Sequence, residues 1–192
     1  MAETPSTMIP LGTKAPDFKL LDTRSNRIVS LQELKSAKAT VVMFICNHCP
    51  YVKHIRSKLI ETAKNYQVKG VSFIAISSND VTTYPEDGPE KMRAEAEKNA
   101  FPFPYLYDET QQAAKAYQAA CTPDLYIFDA QLACVYRGRF DDSTPGNNNP
   151  VTGKDFTESL DNLLANKSIH PQQKPSIGCN IKWKKTVEAN LK

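Results

Sequence analysis

The 192-residue chain has no apolar run that approaches the ~20 residues a transmembrane helix needs. Its first fifteen residues, MAETPSTMIPLGTKA, hold neither an apolar core nor a basic head of the kind a secretory leader carries. No leader and no membrane partner are therefore expected, and the expected compartment is the cytoplasm. Cysteine is sparse, with five residues at 46, 49, 121, 134 and 179. That odd count and uneven spacing argue against a secreted disulfide framework. There is one C-x-x-C, no second one, and no H-x-x-x-H. A zinc site would thus begin half built, with His48, His54, His170 or another cysteine left to complete it. Charge of one sign is also scarce. The formal net charge is +3, and residues 167–192, with six lysines and one glutamate, carry +5 and leave −2 elsewhere. A small basic tail of this kind is a solvated surface segment, and no nucleic-acid partner is expected.

What is present is an ordinary globular composition, 41% hydrophobic and 23% charged, at a length that suits one α/β domain. Phe18–Leu21 and Ile28–Leu31 flank a polar turn and predict an N-terminal β-hairpin. Thr40–Ile45 and Val71–Ser77 are apolar, β-branched runs of the kind buried on both faces of a sheet. Between them Val52, Ile55, Leu59, Ile60 and Ala63 recur at helical spacing from Pro50 to about Tyr66. Asn79–Gly88 is turn-rich, Pro89–Ala100 reads as a charged helix, and Phe101–Pro104 as an ordered connector. Gln111–Ala120 reads as helix, and Leu125–Phe128 with Cys134–Phe140 as an antiparallel strand pair. Phe156, Leu160, Leu163 and Leu164 mark a last helix, after which the tail shows little periodicity. The expected units are a domain at 10–166 and a tail at 167–192 docked on it. The element order implies a central mixed sheet with helices on both faces.

The strand at 40–45 runs directly into Cys46-Asn47-His48-Cys49, and a helix follows. Two residues between cysteines at a helix N-terminus put both sulfurs within disulfide reach. On this reading Cys46 faces the unsatisfied N–H groups of the first turn, and its pKa falls below the free value of ~8.5. Cys49, one turn on, is placed to resolve a mixed disulfide on Cys46. Pro50 suits the first helical turn, whose N–H groups have no internal partner. His48 adds a cation that favours the dithiol, so the couple should lie above the ~−270 mV of thioredoxin. Two buried unreactive thiols, or a metal site, stay open as readings of the same spacing.

Four stretches extend the pattern: FICNHCPYVKHI at 44–55, YPEDGPEKM at 84–92, ACTPDLYIFD at 120–129 and GCNIKWK at 178–184. With GTKAPDF at 12–18, they resemble the peroxiredoxin-like branch of the thioredoxin superfamily, the redoxin or alkyl-hydroperoxide-reductase-like proteins. That resemblance implies a thioredoxin-like fold with an N-terminal hairpin and a C-terminal extension. It implies a cis Thr122-Pro123 bond whose backbone lies against the cysteine pair and binds extended substrate. It also implies a thiol–disulfide oxidoreductase acting on protein or small-molecule disulfides, with an unidentified thiol electron donor and no cofactor or metal. A thiol peroxidase using Cys49, or a scaffold with inactive cysteines, are the alternatives.

Two departures sharpen the choice. In the peroxidase pattern a threonine and a proline precede the reactive cysteine, where this chain has Cys46 and Val42, and Pro123 replaces the later arginine. Loss of the donors that polarise a peroxide favours disulfide exchange. Thioredoxins carry an acid on the strand before the cysteines, yet Ala39–Ile45 has none, which leaves the thiols without an obvious base. Among the other residues, Cys121 and Cys179 are possible additional redox thiols, and Cys134 is expected to be buried and inert. Trp183 reads as a packing anchor for the tail, and His54 as solvated. The acidic turn Asp80, Tyr84, Glu86, Asp87 and the charged stretch Arg137, Arg139, Asp141, Asp142 read as solvated loops, with a place at the rim of the site as the alternative.

Overall fold

The computed structural model describes residues 3–185. Strand β1 (Glu3–Pro5) is followed by the hairpin β2 (Lys19–Asp22) and β3 (Arg27–Ser30), and by the single turn α1 (Leu31–Leu34). Next come β4 (Ala39–Phe44), α2 (Pro50–Gln67) and β5 (Val71–Ser77), then a 3-10 turn at Pro85–Asp87 and α3 (Pro89–Lys98). β6 (Tyr105–Tyr107) and α4 (Gln112–Ala116) lead to β7 (Cys121–Thr122), β8 (Asp124–Asp129) and β9 (Cys134–Gly138). The order closes with α5 (Lys154–Leu164) and β10 (Ile177–Asn180).

Seven strands form the central sheet in the order β3-β2-β6-β5-β4-β8-β9. β4 is its middle, parallel to β5 and antiparallel to β8. All six β4 residues are buried, because alternate side chains enter opposite cores. Val41 and Met43 pack with α2, α3 and α5, whereas Val42 and Phe44 pack with Leu31 of α1 and Ala113–Ala114 of α4. This is the mixed sheet with helices on both faces that the element order implied. No described helix is long and apolar enough to cross a membrane.

The structure differs from the sequence expectation at three places. α4 is shorter than expected, because Gln118 at φ 52° leaves the helical region soon after the C-cap Tyr117. The Phe101–Pro104 connector feeds a strand, β6, three residues long and too short to show a period. The tail, read as lacking periodicity, contains a strand. β10 pairs antiparallel with both β1 and β7, with Cys179 opposite Glu3 on one side and Thr122 on the other. A four-residue strand whose partners are more than a hundred residues away in β1 and more than fifty away in β7 leaves no local signal. Trp183 is not the anchor, being 42% exposed, while Cys179 and Ile181 are the buried hydrophobic residues of the described tail. Residues 186–192 of the basic tail lie outside the described residues.

Candidate active site

β4 ends at Phe44, and Ile45–Cys49 bend into the N-terminus of α2. Pro50 is the first helical residue, which makes Cys49 the N-cap, in extended conformation at φ −63° and ψ 122°. The expectation that Cys46 faces the first turn is therefore corrected. Pro50 fixes where the helix begins, and it is Cys49 that receives the Val52 N–H.

The charge follows this geometry. The Cys46 thiol donates to Cys49, and with the Cys179 thiol and the Val52 N–H it outweighs burial and lowers Cys49 to about 4. Cys46 moves the other way and is held well above the ordinary thiol range by that bond, by burial and by the nearby Asp87 carboxylate. The two thiols therefore titrate as a coupled pair, with Cys49 lowered and Cys46 raised. All five cysteines are free and buried.

Thr122 and Pro123 lie against this pair, and their peptide bond is cis. The Thr122 hydroxyl is 3.5 Å from Cys46 Sγ, and its carbonyl oxygen is 3.1 Å from Cys49 Sγ. Cys179 Sγ is 3.0 Å from Cys49 Sγ. In both contacts Cys49 Sγ is the donor, to the Thr122 carbonyl and to Cys179 Sγ. Cys121 instead turns its S–H to the Pro123 carbonyl at 3.4 Å, and burial pushes its pKa up. Cys134 lies in the opposite core with its S–H on Tyr136 O at 3.4 Å, and burial pushes it up to about 11.

The acid that β4 lacks arrives from elsewhere. Asp87, in the 3-10 turn, is fully buried rather than solvated. It accepts hydrogen bonds from His48 Nδ1 at 2.6 Å, Asn79 Nδ2 at 2.8 Å and the Asn47 N–H at 2.8 Å. Burial works to raise its pKa, and the bonds from His48 and Asn79 hold it below the usual carboxylate value. The same bond raises the pKa of His48. Tyr84 stacks on the His48 ring with centroids 4.8 Å apart. His48 Nδ1 is 3.8 Å from Cys46 Sγ, and its buried Nε2 has no partner. The sequence placed Asp87 in an acidic turn but not its bond to His48, which lies 39 positions away. The one available signal was an acid in a turn held between Pro85 and Pro89.

The AhpC/TSA family profile matches residues 11–137. The chain belongs to the AhpC/TSA family. It is similar to an uncharacterized conserved protein from Geobacillus kaustophilus, with 56% identity and TM-score 0.94 over 96% of this chain and 97% of that one. It is also similar to a hypothetical protein from Sinorhizobium meliloti 1021, with 45% identity and TM-score 0.92 over 94% and 98% of the two chains. At 18% identity it shares its fold with a peroxidoxin from Mycobacterium tuberculosis, at TM-score 0.61 over 83% and 99% of the chains. No curated protein matches. The fold is thioredoxin-like, and the AhpC/TSA membership gives the chain a redox role, as a thiol–disulfide oxidoreductase or a peroxidase-like protein.

In this AhpC/TSA chain, Cys46, His48 and Asp87 offer ligand atoms within 4.8 Å of one another, the one such trio among the described residues. The bond from His48 to Asp87 accounts for their approach without an ion. His54 and His170 do not join them. His54 is half-buried rather than solvated, with Nε2 2.5 Å from Ser143 Oγ, and His170 Nδ1 accepts from the Gln172 N–H. His54 instead helps line a cavity of about 250 Å³ together with Tyr51, Pro123, Phe140 and Ile177. The charged stretch walls that cavity. Arg139 bonds Asp155 at 2.6 Å, and the buried Asp141 accepts from the N–H groups of Ser143, Thr152 and Gly153.

Proposed function

We propose that the chain is a thiol–disulfide oxidoreductase whose redox pair is Cys46 and Cys49. One observation carries the reading. Both sulfurs are free at the start of α2, with Cys49 as its N-cap, and both lie against the cis Thr122-Pro123 segment. A thiolate stable near neutral pH is the attacking form in disulfide exchange. The Cys49 thiolate attacks a disulfide R–S–S–R′, forming Cys49–S–S–R and releasing R′S⁻, which takes up a proton. Cys46 then loses its proton and attacks Cys49 Sγ, so that RS⁻ leaves and Cys46–Cys49 closes. This order is the reverse of the one expected from the spacing alone, because Pro50 puts Cys49 at the helix end. The substrates are protein or small-molecule disulfides, and a thiol donor of unassigned identity returns the pair to the dithiol. The cavity beside Pro123 would receive part of the substrate.

The same thiolate supports a second reading as a thiol peroxidase, since Cys46 donates to Cys49 from the place the family's threonine would hold. Pro123 in the arginine position weighs against it, because no guanidinium is supplied to the leaving oxygen. Insulin-disulfide reduction and hydrogen peroxide consumption, measured on the wild type, Cys46→Ser and Cys49→Ser, separate the two. Disulfide reduction lost in both variants is expected. Fast peroxide turnover that is lost in Cys49→Ser and retained in Cys46→Ser would reverse the assignment.

A further inference from the structure

Cys179 lies outside the segment that matches the AhpC/TSA profile, which ends at residue 137. Its sulfur is nonetheless 3.0 Å from Cys49 Sγ, across 130 positions of sequence. Closing that contact to a bond of ~2.05 Å takes about an ångström of movement and passes no intervening side chain. The approach is built by the backbone. β10 is held on both edges, by β1 and by β7, and the register sets Cys179 directly opposite Thr122, the residue whose carbonyl lies on Cys49. Gly178 permits this closeness, since a Cβ there would come 2.0 Å from the Thr122 carbonyl oxygen. The next residues fasten the strand further, with the Ile181 N–H on Ala120 O and the Lys182 N–H on Asn79 Oδ1. Asn79 also binds Asp87, so the tail and the His48–Asp87 pair share one anchor. Cys121 and Cys134, by contrast, donate their thiols to the Pro123 and Tyr136 carbonyls rather than to the pair.

We propose that Cys179 is a third catalytic thiol, which takes over the Cys49 sulfur from Cys46 after the pair has been oxidised. This rests on the Cys46–Cys49 pair being redox-active. The deprotonated Cys179 attacks Cys49 Sγ of the Cys46–Cys49 disulfide. The Cys49–Cys179 bond forms, the Cys46–Cys49 bond breaks, and its electron pair leaves on Cys46, which takes up the proton that Cys179 gave away. No net oxidation occurs, and no further oxidant is needed beyond the disulfide that oxidised the pair. The order of events is set by charge. While Cys49 is a thiolate it helps hold the Cys179 proton, which burial and that neighbour together push up to about 12. Oxidation of Cys49 removes the neighbouring charge, and Lys182 remains to favour the Cys179 thiolate. Oxidation thus removes the Cys49 share of the shift and leaves burial, its largest single cause. The product leaves Cys46 as a free thiol beside His48 and ties β10 to the start of α2.

The full reduced chain is oxidised with oxidised glutathione, quenched in acid, alkylated and digested, and its cross-linked peptides are identified by mass spectrometry. The wild type should give both Cys46–Cys49 and Cys49–Cys179, with Cys46 alkylated in the second form. Cys46→Ser should give Cys49–Cys179, and Cys179→Ser should give only Cys46–Cys49. The wild-type map decides the matter even if Cys46→Ser does not fold. A wild type and a Cys179→Ser chain that both form Cys46–Cys49, with no Cys49–Cys179 peptide in any chain, would overturn the role of Cys179 alone. Absence of Cys46–Cys49 from every chain would overturn the redox-pair reading on which it rests.

Discussion

The two flanks of the cysteine pair are built from different materials. On one side stand His48, Asp87, Asn79 and Tyr84, a buried polar set in which every bond of the Asp87 carboxylate is made to a named donor. On the other stand Thr122, Gly178 and Cys179, where a carbonyl and a sulfur face Cys49 across two strands only two and four residues long. The difference explains why the charge sits on Cys49. A histidine beside a cysteine is expected to stabilise a thiolate there, but the His48 proton is committed to Asp87, whose own negative charge raises Cys46. The Asp87 charge thus disfavours a Cys46 thiolate, while the Cys46 and Cys179 thiols, the Thr122 hydroxyl and the Val52 N–H lower Cys49 and the Thr122 carbonyl opposes them.

The largest effect that would break this comparison is loss of the charged sulfur. Cys49→Ser should lower disulfide exchange by a factor of about 10³ or more, measured as insulin reduction at pH 7. Cys134→Ala, in the other core, should change it little. The next effect acts on the sulfur flank. Gly178→Ala drives a methyl into the Thr122 carbonyl and should destabilise the chain by about 1–3 kcal/mol or more in denaturant unfolding. It should also reduce the yield of any Cys49–Cys179 bond. On the polar flank, Asp87→Asn removes the charge that His48 faces and should cost about 1–3 kcal/mol. The His48 pKa should fall, read from its imidazole NMR shifts, and the Cys46 pKa should fall with it because one of its raising causes is gone.

The pH dependence of stability tests the same pair independently. The pKa of Cys49 is depressed in the folded chain, so its contribution is complete above the unfolded value of ~8.5 and is lost as pH falls through about 4. The stability difference between reduced wild type and Cys49→Ser should therefore grow as pH rises from about 4 to about 8.5. His48 has the opposite sign. Its raised pKa gives a contribution complete below ~6.5 and lost as pH rises through the folded value. A difference that is flat with pH would mean that Cys49 carries no special charge.

Much of the sheet was legible in the sequence, because β4, β5 and α2 show their periods within single runs. The cysteine pair was legible for the same reason, and the Thr122-Pro123 bond is cis, as the family resemblance implied. What the sequence hid is non-local. His48 meets Asp87, and Cys49 meets Cys179, only after the chain has folded. The sheet β1-β10-β7 is made of strands too short for alternation to register. The helix start at Pro50 was legible, and the structure adds that Cys49 is its N-cap.

The most direct test of the redox pair is its equilibrium with a glutathione buffer, followed by alkylation and mass analysis in the Cys179→Ser chain, which isolates the Cys46–Cys49 couple. Stabilisation of the Cys49 thiolate favours the dithiol and makes the disulfide more oxidising. A two-electron couple less negative than the ~−270 mV of thioredoxin is the expected result. A potential at or below that value, or no reducible Cys46–Cys49 bond at all, would contradict it.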